Sequence, residues 1–294
     1  MKRFIALLLC ACFVVLLSSC EHAERIKQRQ KEKEIISSQE AASRLAEANK
    51  HRLDYDLGNL RSLEDDVAVV VYFLNDYNSN WENRSTQKFI SDEIIPALNF
   101  LEQNAESYGI KLELEIVETN VCWYNGKVLQ KSENGVTTNN VFDSVAMEQG
   151  YQSDNDMYAQ LNEKYGREVI PIMVFNKNGT SYGVNPRRGS DIVDKIMEHA
   201  MVFTSDYYGN SNNARGSQAP VIATSILYLY GAENLDEPDK RKDLAIQGEF
   251  YDDIMFNTTY DIDDSRITDA TAFYIGWIDK TPKVFLEDGW DKTE

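Results

Sequence analysis

Runs of β-branched and aromatic residues, separated by helical patterns, are the feature that most constrains the fold of this chain. Residues 67–73 and 169–175 are continuous apolar runs, which are typical of strands buried on both faces. Residues 111–117 alternate between polar and apolar side chains, as expected for a third strand. The helical segments between these strands predict an α/β (α+β) fold with a mixed sheet.

Two helices and one turn are predicted around these strands. Ser85 or Thr86 can cap a first helix with one apolar stripe, and Gly109 suits its end. Residues 154–164 have the pattern of a second helix. The polar residues 176–179 are predicted to form a turn after the strand that precedes them.

The chain begins with the pattern of a secretory signal. Lys2 and Arg3 precede an apolar run at residues 4–17, which is too short and wrongly flanked for a transmembrane helix. Residues 17–20 read Leu-Ser-Ser-Cys and resemble the bacterial lipobox. The resemblance implies that residues 1–20 are a lipoprotein signal peptide and that Cys20 carries the lipid. A plain signal peptide with a chance cysteine is the alternative.

Residues 21–64 are predicted to be a helical or disordered tether. They are rich in charges of both signs, which cancel, and they sustain no heptad pattern. Residues 65–294, which we expect to form one domain, therefore carry a net charge of −20, and Lys2 and Arg3 bring the whole chain to −18. Nucleic acid is excluded as a partner, because phosphate contacts need clustered Lys and Arg.

Few residues of the exported chain can bind metal ions or act as nucleophiles. Cys122 is the cysteine that remains beyond Cys20, and its apolar neighbours predict a buried thiol. The chain has 3 histidines, and two of them, His22 and His51, lie in the tether. We expect the third, His199, to be a packed or surface side chain without a metal.

Residues 221–235, VIATSILYLYGAENL, predict a helix that runs through the core, because its apolar residues lie on nearly all sides. Pro220 suits its first turn and Gly231 suits its end. The segment resembles the active-site helix of metzincin-type zinc metallopeptidases, A-H-E-x-x-H-x-x-G-x-x-(H/D). Ala223 matches the alanine of that motif, and Gly231 matches the glycine that breaks the helix.

The motif's metal-binding and basic residues are replaced in this chain. Thr224, Tyr228 and Asn234 occupy the three zinc-ligand positions, and Ser225 occupies the position of the general-base glutamate. Hydroxyl and amide groups are poor zinc ligands, and serine cannot replace a carboxylate base. We therefore expect no bound metal, no cofactor and no catalytic residue.

Two later segments extend the resemblance. Met255, in Asp-Ile-Met, lies where the family has its Met-turn, and residues 267–277 resemble the closing helix of bacterial members. The resemblance implies a zincin-like domain at residues 65–294. An acidic cluster, Asp252, Asp253, Asp261, Asp263 and Asp264, is interpreted as a solvated turn with Asp264 near a helix start; a Ca²⁺ site is the alternative.

These features predict a bacterial lipoprotein with a catalytically inactive metallopeptidase-like domain. It is expected to bind a peptide or protein in the former cleft, near tyrosines that include Tyr207, Tyr208, Tyr228 and Tyr230. The alternative is a divergent peptidase or hydrolase that uses Ser225. Its expected location is the cell envelope, with the membrane as a partner through the lipid. Glu21 after the cysteine favours the outer membrane of a Gram-negative cell by resemblance to such lipoproteins.

The lipobox resemblance leads to a first prediction. Cys20 should be the N-terminal residue of the mature protein and should carry acyl chains, which mass spectrometry of the native protein detects. A Cys20→Ala protein should lose its partitioning into membranes. A wild-type protein without acyl mass, together with a variant that stays wholly in membranes, would contradict the prediction.

Overall fold

The three predicted strands are neighbours in a five-stranded sheet in a computed structural model of the chain, and one of them lies at its edge. The structure describes Leu60, residues 62–124, 141–184, 198–206, 218–235, 250–256 and 261–279, and Pro282. Within those ranges, no helix is both long enough and apolar enough to span a bilayer. Cys20, the signal peptide, nearly all of the tether and Tyr207 and Tyr208 lie outside the described residues.

The sheet is mostly parallel. Its strands are β1 (Asp65–Asn75), β2 (Leu112–Trp123), β3 (Val169–Gly179), β4 (Tyr182–Val184) and β5 (His199–Asp206). The order across the sheet is β2-β1-β3-β5-β4. Strands β2, β1, β3 and β5 are parallel to their neighbours, and the short β4 is antiparallel at the edge. The mixed α/β class predicted from the sequence is therefore confirmed.

The connection from β1 to β2 contains one continuous helical run, residues 83–107. This run consists of α1 (Asn83–Phe89), a π-helical turn (Ile90–Ile94) and α2 (Ile95–Ser107). The predicted cap at Ser85 or Thr86 is wrong. Glu82 is the N-cap, and the Ser85 hydroxyl accepts a hydrogen bond from its backbone nitrogen at 3.1 Å. A reciprocal pair of this kind satisfies donors at the helix start, so Ser85 still contributes from the third helical position.

Aromatic rings join the start of this connection to the sheet. The Trp81 ring centroid lies 4.8 Å from that of Phe73 in β1 and 5.6 Å from that of Phe89 in α1. Both pairs are edge-to-face, the geometry that the ring quadrupole favours. This cluster fixes α1 against the carboxyl end of β1.

The connection from β2 to β3 supplies α3 (Val141–Glu148) and α4 (Asp154–Tyr165). The predicted helix at residues 154–164 is confirmed, with the Ser153 hydroxyl accepting a hydrogen bond from the Asp156 backbone nitrogen at its start. Gly166 ends it with a φ of 65°.

The predicted turn at residues 176–179 is wrong, because β3 continues to Gly179. The pairing of β3 with β5 shifts register between Phe175 and Asn178 and then resumes. An ideal Cβ on Gly179 would lie 2.4 Å from the Phe203 ring, so only glycine fits there. The polar composition of residues 176–179 suggested a loop. The register shift allows these residues to remain part of the sheet.

The C-terminal part contains a long buried helix and a short closing helix. Helix α5 spans Ala219–Leu229, a 3₁₀ turn spans Ile262–Asp264, and α6 spans Asp269–Tyr274. Asp261 caps the 3₁₀ turn through the Asp263 backbone nitrogen, so Asp264 is not the capping residue.

Two leucines near the end of the predicted tether are buried. Leu60 and Leu63 are fully buried, and the Trp277 indole nitrogen donates a hydrogen bond to the Leu63 carbonyl at 2.7 Å. The chain that leads into β1 therefore packs against the segment after α6.

A carboxylate from the π-helical turn caps α5. The Glu93 Oε2 atom accepts hydrogen bonds from the backbone nitrogens of Gln218 (2.5 Å) and Ala219 (3.1 Å). Gln218 itself provides no side-chain cap. A negative charge at a helix N-terminus also interacts favourably with the helix dipole.

Replacing Glu93 should therefore destabilise the fold more than replacing its neighbour. Glu93→Ala should lower the free energy of unfolding by about 1–2 kcal/mol, because backbone donors lose their acceptor and the dipole loses its partner. Asp92→Ala, which removes an exposed ion pair with Lys88, should cost about 0.5 kcal/mol or less. Urea denaturation measures both. Equal losses in the two variants would show that Glu93 has no capping role.

Candidate functional site

Helix α5 carries three of the four residues that were predicted to replace the catalytic groups. All of its residues except Tyr228 are buried, in agreement with the predicted core helix. Gly231 follows it with a φ of 94°, and the helix ends at Leu229. Because this φ is in the left-handed region, a residue with a Cβ would be strained at position 231.

The hydroxyls at the first ligand position and at the base position are turned back onto the helix. The Thr224 Oγ1 atom donates to the Val221 carbonyl at 2.9 Å, and the Ser225 Oγ atom donates to the same oxygen at 2.7 Å. Both side chains are buried. Each hydroxyl therefore donates its only proton in a hydrogen bond to a backbone carbonyl. Among the described residues, neither hydroxyl is hydrogen-bonded to a general base in this arrangement.

The other two replaced ligand positions are more open. Tyr228 and Asn234 are half-buried. The four positions thus form two pairs, with Thr224 and Ser225 packed into the core and Tyr228 and Asn234 partly in contact with solvent. Thr224 and Ser225 are therefore out of reach of a ligand from solvent, whereas Tyr228 and Asn234 are partly accessible.

Strand β4 lies directly against this helix. An ideal Cβ on Gly183 would lie 2.5 Å from the Ser225 carbonyl oxygen and 2.7 Å from the Tyr228 Cβ atom. A side chain at position 183 would therefore collide with the helix backbone. The glycine brings the edge of the sheet into contact with α5 at two of the four replaced positions.

Met255 is buried in a turn that follows α5. Its carbonyl accepts a hydrogen bond from the Leu235 backbone nitrogen at 3.0 Å, which links the turn to the chain just after the helix. The correspondence of this turn to a Met-turn stays a prediction. A contact of Met255 with the face formed by Thr224 and Tyr228 stays a prediction.

The Asp253 carboxylate holds this turn to the closing helix α6. One oxygen accepts from the Met255 nitrogen (2.7 Å) and the Thr271 hydroxyl (2.8 Å). The other accepts from the nitrogen (2.9 Å) and hydroxyl (2.5 Å) of Thr268. Burial raises the pKa of Asp253, and these four hydrogen bonds oppose the rise.

The interpretation of the acidic cluster as a solvated turn is wrong for Asp253, which is fully buried. Asp261, Asp263 and Asp264 are exposed, in agreement with it. Across the described residues, no group of three or more His, Cys, Asp or Glu side chains is arranged to hold a metal ion. Both oxygens of Asp253 are already engaged by hydroxyl and amide donors, which does not fit a Ca²⁺ ligand.

The remaining candidate residues are packed in the core. His199 is fully buried in β5, with its ring centroid 4.9 Å from that of Phe142. Cys122 is buried as predicted, and burial raises the pKa of its thiol to about 12. Tyr230 is buried, and its hydroxyl lies 3.5 Å from a Glu168 oxygen.

Sequence reasoning missed the roles of Glu93 and Asp253. Nothing near Glu93 in the sequence indicates that it caps a helix more than a hundred residues away. For Asp253 a signal existed, because Thr268 and Thr271 are three residues apart and face the same side of α6. Two such hydroxyls at a helix start are suited to a buried carboxylate.

The fold and this site define a mixed α/β protein in which a buried helix packs against β4 and β5 of a mostly parallel five-stranded sheet and against α2 and the π-helical turn. No protein-family model matches the chain, and no functionally curated protein matches it significantly.

The Asp253 contacts yield a stability prediction. In Asp253→Asn, either orientation of the amide sets an NH₂ group against a backbone nitrogen, of Met255 or of Thr268. A buried donor then lacks an acceptor, so the free energy of unfolding should fall by about 2–3 kcal/mol.

The matched control is Asp252→Asn. Asp252 pairs with Arg266 at 2.7 Å, but both side chains are exposed, and the change should cost at most about 0.5 kcal/mol. Thermal and urea unfolding measure the difference. Similar values for the two variants would show that Asp253 does not hold the turn.

Proposed function

We propose that this protein is a membrane-anchored bacterial lipoprotein whose zincin-like domain binds a peptide or protein partner and does not hydrolyse peptides. The observation that carries the proposal is the state of Thr224 and Ser225. Both hydroxyls are buried and donate to the Val221 carbonyl in the place where the resemblance calls for a zinc ligand and a base. The helix retains the shape of the motif without its chemistry.

The chemistry of these groups argues against hydrolysis by either route. Zinc sites use Cys, His and carboxylate ligands, which none of the replaced positions supplies. A serine nucleophile needs a base that takes its proton. The Ser225 proton is instead directed at a carbonyl oxygen 2.7 Å away, so the structure gives no support to a hydrolase that uses Ser225.

Partner binding is supported by the edge strand beside the helix. Metallopeptidases of the resembled type hold an extended substrate against a sheet edge, which requires backbone pairing and no metal. Strand β4 is at the edge of the sheet, and Tyr182 and Gly183 are half-buried. Tyr228 is half-buried next to it, and a tyrosine in this position can anchor a peptide.

The lipid anchor fits the charge of the domain. Residues 65–294 carry a net charge of −20, and anionic headgroups would repel them. A covalent lipid on Cys20 would hold such a domain at the envelope without electrostatic attraction. The proposal places the protein in the outer membrane on the basis of Glu21.

The purified protein should contain no stoichiometric zinc and should cleave no peptide in a broad library. Elemental analysis and a chromatographic cleavage assay measure the two properties. The triple variant Thr224→His, Ser225→Glu, Tyr228→His should bind zinc without becoming an active peptidase. The hydrogen bonds at Thr224 and Ser225 run to the Val221 carbonyl and are not those that orient the ligands of a zinc site. One zinc per wild-type chain, or cleavage that a chelator abolishes, would overturn the inactive assignment.

Peptide binding is tested separately with a displayed library of random twelve-residue peptides. Selected peptides should slow the hydrogen exchange of backbone amides in β4. Tyr228→Ala should weaken their binding about tenfold, whereas Tyr251→Ala, at an exposed tyrosine outside the sheet, should not. Selection of no peptide, or protection away from β4, would leave the domain without the proposed groove.

A further inference from the structure

The opposite edge of the sheet has an unusual surface. Strand β2 is 12 residues long, and among the described strands only β1 pairs with it. A long edge strand presents a row of backbone donors and acceptors to any extended chain. Most of the β2 side chains are exposed or half-buried, so the strand is accessible along much of its length.

One face of this edge is apolar near the carboxyl end of β2. The register pairs Phe73 with Val121 and Asn75 with Trp123, so Val121 and Trp123 lie on one face. Val121 is 47% exposed and Trp123 is 44% exposed. Tyr77, which is 79% exposed, packs edge-to-face on Trp123 with a centroid distance of 5.2 Å. Three large apolar side chains therefore form an exposed strip, which we call the β2 strip.

The other face of the same edge is acidic. The register places Glu113, Glu115 and Glu118 together on this face. Glu118 accepts hydrogen bonds from Lys164 and Tyr165, and the positive charge of Lys164 offsets the negative charge of this carboxylate. Glu113 is exposed, and Glu115 forms an ion pair with Arg167 but keeps a side chain that is 59% exposed. An added strand would therefore meet carboxylates on one face and the β2 strip on the other.

This arrangement discriminates between possible occupants. A second copy of the chain, paired antiparallel through β2, would place its glutamates on the same face of the joined sheet, and like charges across strands are destabilising. A strand with basic side chains on one face and apolar side chains on the other would complement both surfaces. Because strand side chains alternate between faces, those two properties must alternate along the partner.

We propose that the outer edge of β2 binds an extended segment of a partner protein in which apolar and basic residues alternate. The partner adds a strand beside β2. Its basic residues face Glu113 and Glu115, and its apolar residues cover the β2 strip. This site is separate from the groove at β4 and does not depend on it.

The test uses the full mature chain and a fluorescent ten-residue peptide that alternates valine with lysine. The peptide should bind, and a valine–glutamate peptide should not. Glu113→Gln with Glu115→Gln should weaken binding about three- to tenfold, because two cross-strand charge pairs are lost. The control double variant, Glu106→Gln with Asp264→Asn, removes the same charge from exposed positions outside β2 and should leave binding unchanged.

Hydrogen exchange then locates the peptide. Amides of β2 should be protected, and Trp123→Ala should weaken binding while Tyr228→Ala does not. Equal binding of the two peptides, equal effects of the two double variants, or protection at β4 would each overturn the proposal. So would self-association of the chain through β2 in sedimentation experiments, or no binding at millimolar peptide.

Discussion

The burial of helix α5 on nearly every side is the constraint on which the rest of the structure depends. A helix without a polar face cannot lie on a surface, so other elements must enclose it. Strand β4 approaches its backbone at Gly183, and the turn at Met255 closes the chain that follows it. Enclosure also explains the orientation of Thr224 and Ser225, since buried hydroxyls need acceptors and the nearest is the Val221 carbonyl.

When a helix is buried, the backbone groups at its ends and in the surrounding loops need hydrogen-bond partners within the protein. Two carboxylates accept hydrogen bonds from such groups. Glu93 accepts from the first backbone nitrogens of α5, and Asp253 accepts from four donors of the turn and α6. Glu93 is 125 residues away from Gln218 in the sequence, whereas Asp253 is two residues from Met255 and 15 and 18 residues from Thr268 and Thr271. Glu93 links the π-helical turn to α5, and Asp253 links the Met255 turn to α6. These directional hydrogen bonds fix the orientation of the elements, which apolar packing alone does not specify.

The elements with local signals were predictable from sequence. The buried strands, the helix at residues 154–164 and the core helix have the expected periodicity, and Gly231 has the left-handed backbone that its position implied. The extension of β3 to Gly179 was not predictable, because a register shift with β5 overrides its polar composition. The sequence predicted a buried helix with Thr224 and Ser225 in it, but the packing that buries their hydroxyls depends on tertiary contacts.

The buried thiol of Cys122 can be used to measure how often the fold opens near β2. Its sulfur accepts a hydrogen bond from the Gln149 amide at 3.1 Å, and burial raises its pKa to about 12, so the folded state shields it from alkylating reagents. Reaction then requires that the β2 side of the sheet open first. The rate of alkylation therefore counts these openings directly, and a cysteine introduced elsewhere on the surface can be labelled without competition from the native one.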